Sequence, residues 1–63
     1  MDMTIDEIRG LKSGDKIRCG GFNFRVIEFD PFEDLLTYCD EFGNRACYSA
    51  EECVHFNFSK GWN

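Results

Sequence analysis

Apolar positions change their period several times along the chain, and each change marks an element. Ile5, Ile8 and Leu11 recur at helical spacing. Thr4-Ile5-Asp6-Glu7 ahead of them has the form of a capping box, with the Thr4 hydroxyl accepting from the Glu7 amide and Glu7 reaching back. Gly10 stands where such a helix would stop, so a short helical turn is predicted over 4–10. Ser13-Gly14-Asp15 is turn chemistry. Lys16-Ile17-Arg18-Cys19 then alternates as a short strand that ends at Gly20-Gly21. Phe22, Phe24 and Val26 alternate strictly and are predicted to face one way, whereas Ile27 and Phe29 put apolar groups on the other phase. That switch predicts a bulge, a strong bend or a strand covered on both sides.

Asp30-Pro31-Phe32-Glu33-Asp34 breaks the pattern, because proline lacks the donor that a ladder needs. Leu35–Cys39 resumes as a strand, and Asp40-Glu41-Phe42-Gly43-Asn44 reads as a hairpin loop into a further strand over 45–48. Ser49-Ala50-Glu51-Glu52 is a second capping box, fitting one helical turn. Cys53–Phe58 alternates again, which predicts a last strand with Val54, Phe56 and Phe58 inward. The expected fold is mainly β: a small five-stranded antiparallel barrel over 16–58 within a single domain, 1–63, with the helical turn 4–10 before it and a polar tail 59–63 after it. Closing the strands into a barrel would remove sheet edges, the main liability of a short β chain.

This order of elements resembles the SH3-like small barrels, in the wide sense that includes the KOW and Tudor groups. Leu11-Lys12-Ser13-Gly14-Asp15-Lys16-Ile17-Arg18 is similar to the Gly-Asp approach to their first strand. Gly21-Phe22-Asn23-Phe24-Arg25-Val26 is similar to their second, and Ser49-Ala50-Glu51-Glu52 to the turn before their last. The resemblance spans about residues 11–58 and implies a fold class; no functional residue is carried over from it. KOW domains are typically basic on their nucleic-acid face, and this chain departs from that.

Charge is unevenly placed. The net is −5, and residues 28–52 hold eight acids (Glu28, Asp30, Glu33, Asp34, Asp40, Glu41, Glu51 and Glu52) against one base, Arg45. Phosphate neutralisation needs clustered Lys and Arg, so nucleic acid is the weaker partner class. No apolar run is long enough to cross a membrane. The acidic start lacks the regions of a secretory signal, so a cytoplasmic setting with free thiols is expected. Cys19, Cys39, Cys47 and Cys53 with His55 would suffice as zinc ligands, but no close Cys pair of the kind structural zinc sites use is present, so no metal or other cofactor is expected.

Catalysis has little to build on. Cys53 and His55, two apart on a strand, would lie roughly 6.6–6.8 Å apart along it, too far for a nucleophile and its base. No phosphate-cradling loop or nucleophile elbow is present, and the protein is not expected to be an enzyme. The aromatic surplus says more: seven Phe, two Tyr and one Trp in 63 residues exceed what a small barrel can enclose. Phe32 and Phe42 fall in loops beside acids. They are either plugs folded over the barrel ends or anchors of an interface whose acids steer toward a basic partner. The expected partner-binding residues are Phe32, Glu33, Asp34, Glu41 and Phe42, and the expected partner is a larger protein with a basic patch. A small acidic binding module of this kind resembles the accessory proteins of phages and mobile elements that act as inhibitors or adaptors of host or defence proteins, which would place it in a bacterial host cytoplasm. A nucleic-acid-binding barrel and a zinc-stabilised module are the alternatives.

Overall fold

A computed structural model describes residues 2–63, with elements α1 (Ile5–Arg9), β1 (Lys16–Cys19), β2 (Phe22–Asp30), β3 (Leu35–Cys39), β4 (Arg45–Ser49), α2 (Ala50–His55) and β5 (Ser59–Lys60). Both capping boxes form. Thr4 and Glu7 exchange side-chain bonds with each other's amides at 3.2 and 3.0 Å, and Ser49 and Glu52 do so at 3.1 Å each way. These bonds satisfy amides that helices of five and six residues would otherwise leave bare.

The strands form one antiparallel sheet in the order β4-β3-β2-β1-β5. Gly20 and Gly21, at φ 58° and 82°, make the tight turn that joins β1 to β2, and Cys19 pairs with Phe22 across it. The switch of phase within β2 is a bulge: Val26 pairs with Tyr38 but Glu28 with Thr37, so the register shifts between Val26 and Glu28. Past the bulge Phe29 returns to the core face opposite Leu36.

Three expectations need correcting. The sheet is not closed: β4 and β5 are its two edges and do not pair with each other, so the barrel is not formed as a ring of strands. Residues 53–58 are not a strand. The second capping box carries helix on to His55, Phe56 caps it, and Asn57 takes the left-handed conformation at φ 60°, a regular way to end a helix. Phe58 is therefore buried, as expected, but Val54 is only half-buried and Phe56 is exposed. The tail is not free either, because Ser59–Lys60 pairs with β1 through Ile17↔Lys60 and Arg18↔Ser59. Alternation over Cys53–Phe58 fits a strand on paper, but a helix nucleated by Ser49 uses the same residues with Ala50 and Cys53 facing in.

The core lies between one sheet face and the two helices. Ile17, Val26, Leu36 and Tyr38 from the sheet meet Ile8 of α1, Ala50 and Cys53 of α2, and Phe58. Phe24, Tyr38 and Phe58 form an edge-to-face triangle with centroids 5.2, 5.1 and 6.1 Å apart, the arrangement that aromatic quadrupoles favour. Truncating Phe58 to Ala should cost about 3–5 kcal/mol. A core of this size rarely supplies more than about 3–5 kcal/mol in total, so Phe58→Ala should be largely unfolded. Urea denaturation followed by circular dichroism checks this, with Phe32→Ala as the variant that leaves the midpoint unchanged.

Candidate interaction site

Two turns present the sequence-predicted rings, and both are built by the same device. In the β2–β3 turn the Asp30 carboxylate accepts from the amides of Phe32 and Glu33, at 2.9 and 3.3 Å. In the β3–β4 turn Asp40 accepts from the amides of Phe42 and Asn44, at 2.8 and 2.9 Å, and from the Asn44 side chain at 3.0 Å. An aspartate that binds the backbone two residues on fixes a turn without help from the core. Its effect here is to point the ring of each Asp-x-Phe outward. Phe32 is 97% exposed and Phe42 87%, so neither is a plug over the core.

The five residues expected to bind a partner do not form one patch. Phe32, Glu33 and Asp34 precede β3, whereas Glu41 and Phe42 follow it, so roughly 17 Å of strand separates the two groups. Asp34 is also engaged inside the fold. Its carboxylate accepts two bonds from the Arg9 guanidinium at 3.0 and 2.9 Å, and its backbone carbonyl accepts from Ala50 at 3.1 Å. At φ 58° it turns the chain into β3 and joins α1, the turn and α2 at one point. Glu33 remains exposed beside Phe32.

The end of the sheet that carries Phe42 holds more than sequence reasoning found. Phe22, which alternation placed inward, is 70% exposed at the first position of β2. It rims a surface cleft of about 380 Å³ together with Phe24, Asp40, Glu41 and Phe42. The signal that could have found it is Gly20-Gly21 just before it, since a residue at the mouth of a tight turn lies past the last covered row. A second cleft of about 300 Å³ adjoins the first, sharing Asn23, Asp40 and Glu41, and is walled by Arg25 and Trp62. Trp62 was also missed. Its indole donates to the Phe24 carbonyl at 2.7 Å, and its ring receives the cations of Lys16 and Arg25 at 4.8 and 5.1 Å from its centre. Arg18 donates to the carbonyls of Lys60 and Gly61. Lys16, Arg18 and Arg25, the basic side chains on the strands that a nucleic-acid-binding barrel would have to use, thus all contact the C-terminal segment.

The thiols do not converge. Cys53 is buried among core residues and Cys19 donates to the Phe56 carbonyl at 2.8 Å. Cys39 and Cys47 lie on the opposite, outward phase of β3 and β4, since their neighbours Tyr38 and Ala46 pair on the core side. Among the described residues no group of three His, Cys, Asp or Glu side chains is placed to hold a metal ion. His55 is exposed at the end of α2 rather than on a strand, while Cys53 points inward from the same helix. Among the described residues no helix is long and apolar enough to cross a membrane. Comparison with protein-family models, with curated proteins and with solved structures finds no match to this chain.

Two titrations follow from this geometry. The Arg9 guanidinium holds the Asp34 carboxyl below its ordinary 3.8, and the Thr4 amide, helped by Lys60, lowers Glu7 as well. A depressed carboxyl contributes stability that is present above its unfolded value and lost as the pH falls through the folded one. Stability should therefore drop in acid, from 4.5 downward for Glu7 and from 3.8 downward for Asp34, and Asp34→Asn should flatten the lower part of the profile; thermal melts across an acid series measure it. Burial pushes the Cys53 thiol up to about 11. Under mildly alkaline alkylation the exposed Cys47 should be labelled first and Cys53 last, as peptide mass mapping would show.

Proposed function

We propose that this protein is a non-enzymatic binding module that docks on a larger protein through the Phe22–Phe42 end of its sheet. The observation that carries the reading is the pair of exposed rings, held out by a glycine turn and an aspartate turn, on either side of a cleft. Large apolar groups held in solvent by dedicated backbone bonds are how interface anchors look before the partner arrives. Glu41, exposed beside Phe42, supplies the charge that favours a basic rim on the partner, and the net charge of −5 acts in the same direction. Phe32 and Glu33 form a second, smaller contact at the far end. Acting by occupancy, such a module works as an inhibitor or adaptor. The SH3-like resemblance belongs to the same reading, and it is supported by a β1 that pairs with both β2 and β5 and by the helical turn before the last strand.

The nucleic-acid alternative is less well supported, because Lys16, Arg18 and Arg25 are already engaged by the Trp62 segment. Affinity capture with the whole chain as bait discriminates the two. Phe22→Ala and Phe42→Ala should each weaken the captured protein by about 1–3 kcal/mol, with capture unaffected by nuclease. Capture that nuclease abolishes, and that Lys16→Ala or Arg25→Ala weakens while the two Phe variants do not, would overturn the reading.

A further inference from the structure

Beside the Phe22–Phe42 cleft the sheet has an unfinished rung. Val26 donates to the Asp15 carbonyl and accepts from the Gly14 amide, so its N–H and C=O face β1. Consecutive residues of a strand face opposite sides, so the backbone groups of Phe22 and Phe24 also face β1, while those of Asn23 and Arg25 face the side of β3. On β3 the Asp40 amide donates to Asn44 across the β3–β4 turn, which leaves Cys39 facing β2. Arg25 and Cys39 are paired and make the last rung between the two strands. In the same register Asn23 would pair with residue 41, but β3 ends at Cys39 and the chain turns away. Among the described residues no backbone group bonds to the N–H or C=O of Asn23.

The gap opens on both faces of the sheet. Phe22, Phe24 and Phe42 line the cleft of about 380 Å³ on the core phase, and Arg25, Cys39 and Trp62 line the cleft of about 300 Å³ on the outward phase. Asn23, Asp40 and Glu41 line both. An extended segment bonded to Asn23 sends alternate side chains into the two clefts, as a strand does. Cys39 and Asp40 already occupy the places beside Arg25 and Phe24, so the segment has to begin or end opposite Asn23. A segment antiparallel to β2 begins there, with its terminal amine beside Glu41 and Asp40. A parallel one ends there and sets its carboxylate against those two carboxylates. Arg25, the cation on this side, is drawn over the Trp62 ring. Asp40 spends its carboxylate on the turn, while among the described residues the Glu41 side chain makes no hydrogen bond or ion pair. Charge therefore selects the amine end.

We infer that this gap takes the free N-terminus of a partner protein. The amine donates to the Asn23 carbonyl and to Glu41, the first carbonyl accepts the Asn23 amide, and an apolar second residue lies against Phe22 and Phe42. This rests on the reading of that end as a docking surface and names the kind of segment that docks.

The probe is the synthetic peptide Ser-Leu-Gly-Gly-amide, titrated at millimolar concentration into the whole isotope-labelled chain and followed by NMR. In the free protein the Asn23 amide should exchange with solvent faster than that of Phe24, which is bonded to β1. The peptide should shift the Asn23 resonance and slow that exchange. Acetylating the peptide amine should weaken binding about tenfold, the size of one charge-assisted hydrogen bond. Glu41→Gln should weaken the free-amine peptide about threefold and leave the acetylated one unchanged, whereas Phe42→Ala should weaken both. An Asn23 resonance that never moves would overturn the inference, and so would equal affinity of the free and acetylated peptides. Either failure leaves the docking reading standing if Phe22→Ala and Phe42→Ala still weaken the captured protein; a captured protein indifferent to both variants overturns that reading and this inference together.

Discussion

Phe58 has to reach the core, and most of the architecture serves that one contact. Its ring closes the triangle with Phe24 and Tyr38, and its backbone carbonyl accepts the Met3 amide at 2.8 Å, which brings the N-terminal segment down beside it. To deliver it, α2 must stop after His55 and the chain must reverse at Asn57, whose left-handed backbone costs an asparagine little. With Phe58 in place the chain runs straight into β5 and on to Trp62, whose ring lies under Lys16 and Arg25 on the outer face. Both faces of the sheet are thus finished by the last six residues.

Short polar side chains set the remaining geometry. Asp30 and Asp40 bind the amides two residues ahead and so decide where Phe32 and Phe42 point; Asp34 ties α1 to the start of α2. Several acids of the 28–52 block are therefore spent on local structure. Those left to act on the surroundings, such as Glu33 and Glu41, stand next to the exposed rings. On the proposed reading, rings carried on turns whose backbone is already fixed would need little backbone ordering to dock.

Much of this was legible in the chain because it depends on neighbours in sequence. The capping boxes at Thr4 and Ser49, the strands over 16–19 and 35–39, the change of phase after Val26 and the loop rings Phe32 and Phe42 all follow from residues within a few positions of one another. Helix caps, turn aspartates and strand alternation are local energies, so the sequence alone determines them.

What the tertiary structure decided is where those energies compete or where distant segments meet. Cys53–Phe58 satisfies both a strand period and a helix seeded at Ser49, and the helix prevails because it buries Ala50 and Cys53 while still delivering Phe58. Phe22 alternates like a core residue but lies beyond the last covered row. Asp34 reads as a surface acid until Arg9, twenty-five positions away, is folded against it. Whether the strands close into a barrel is likewise no property of any one segment. It depends on how far β4 and β5 stand apart once the helices occupy the core face, and no local pattern encodes that separation.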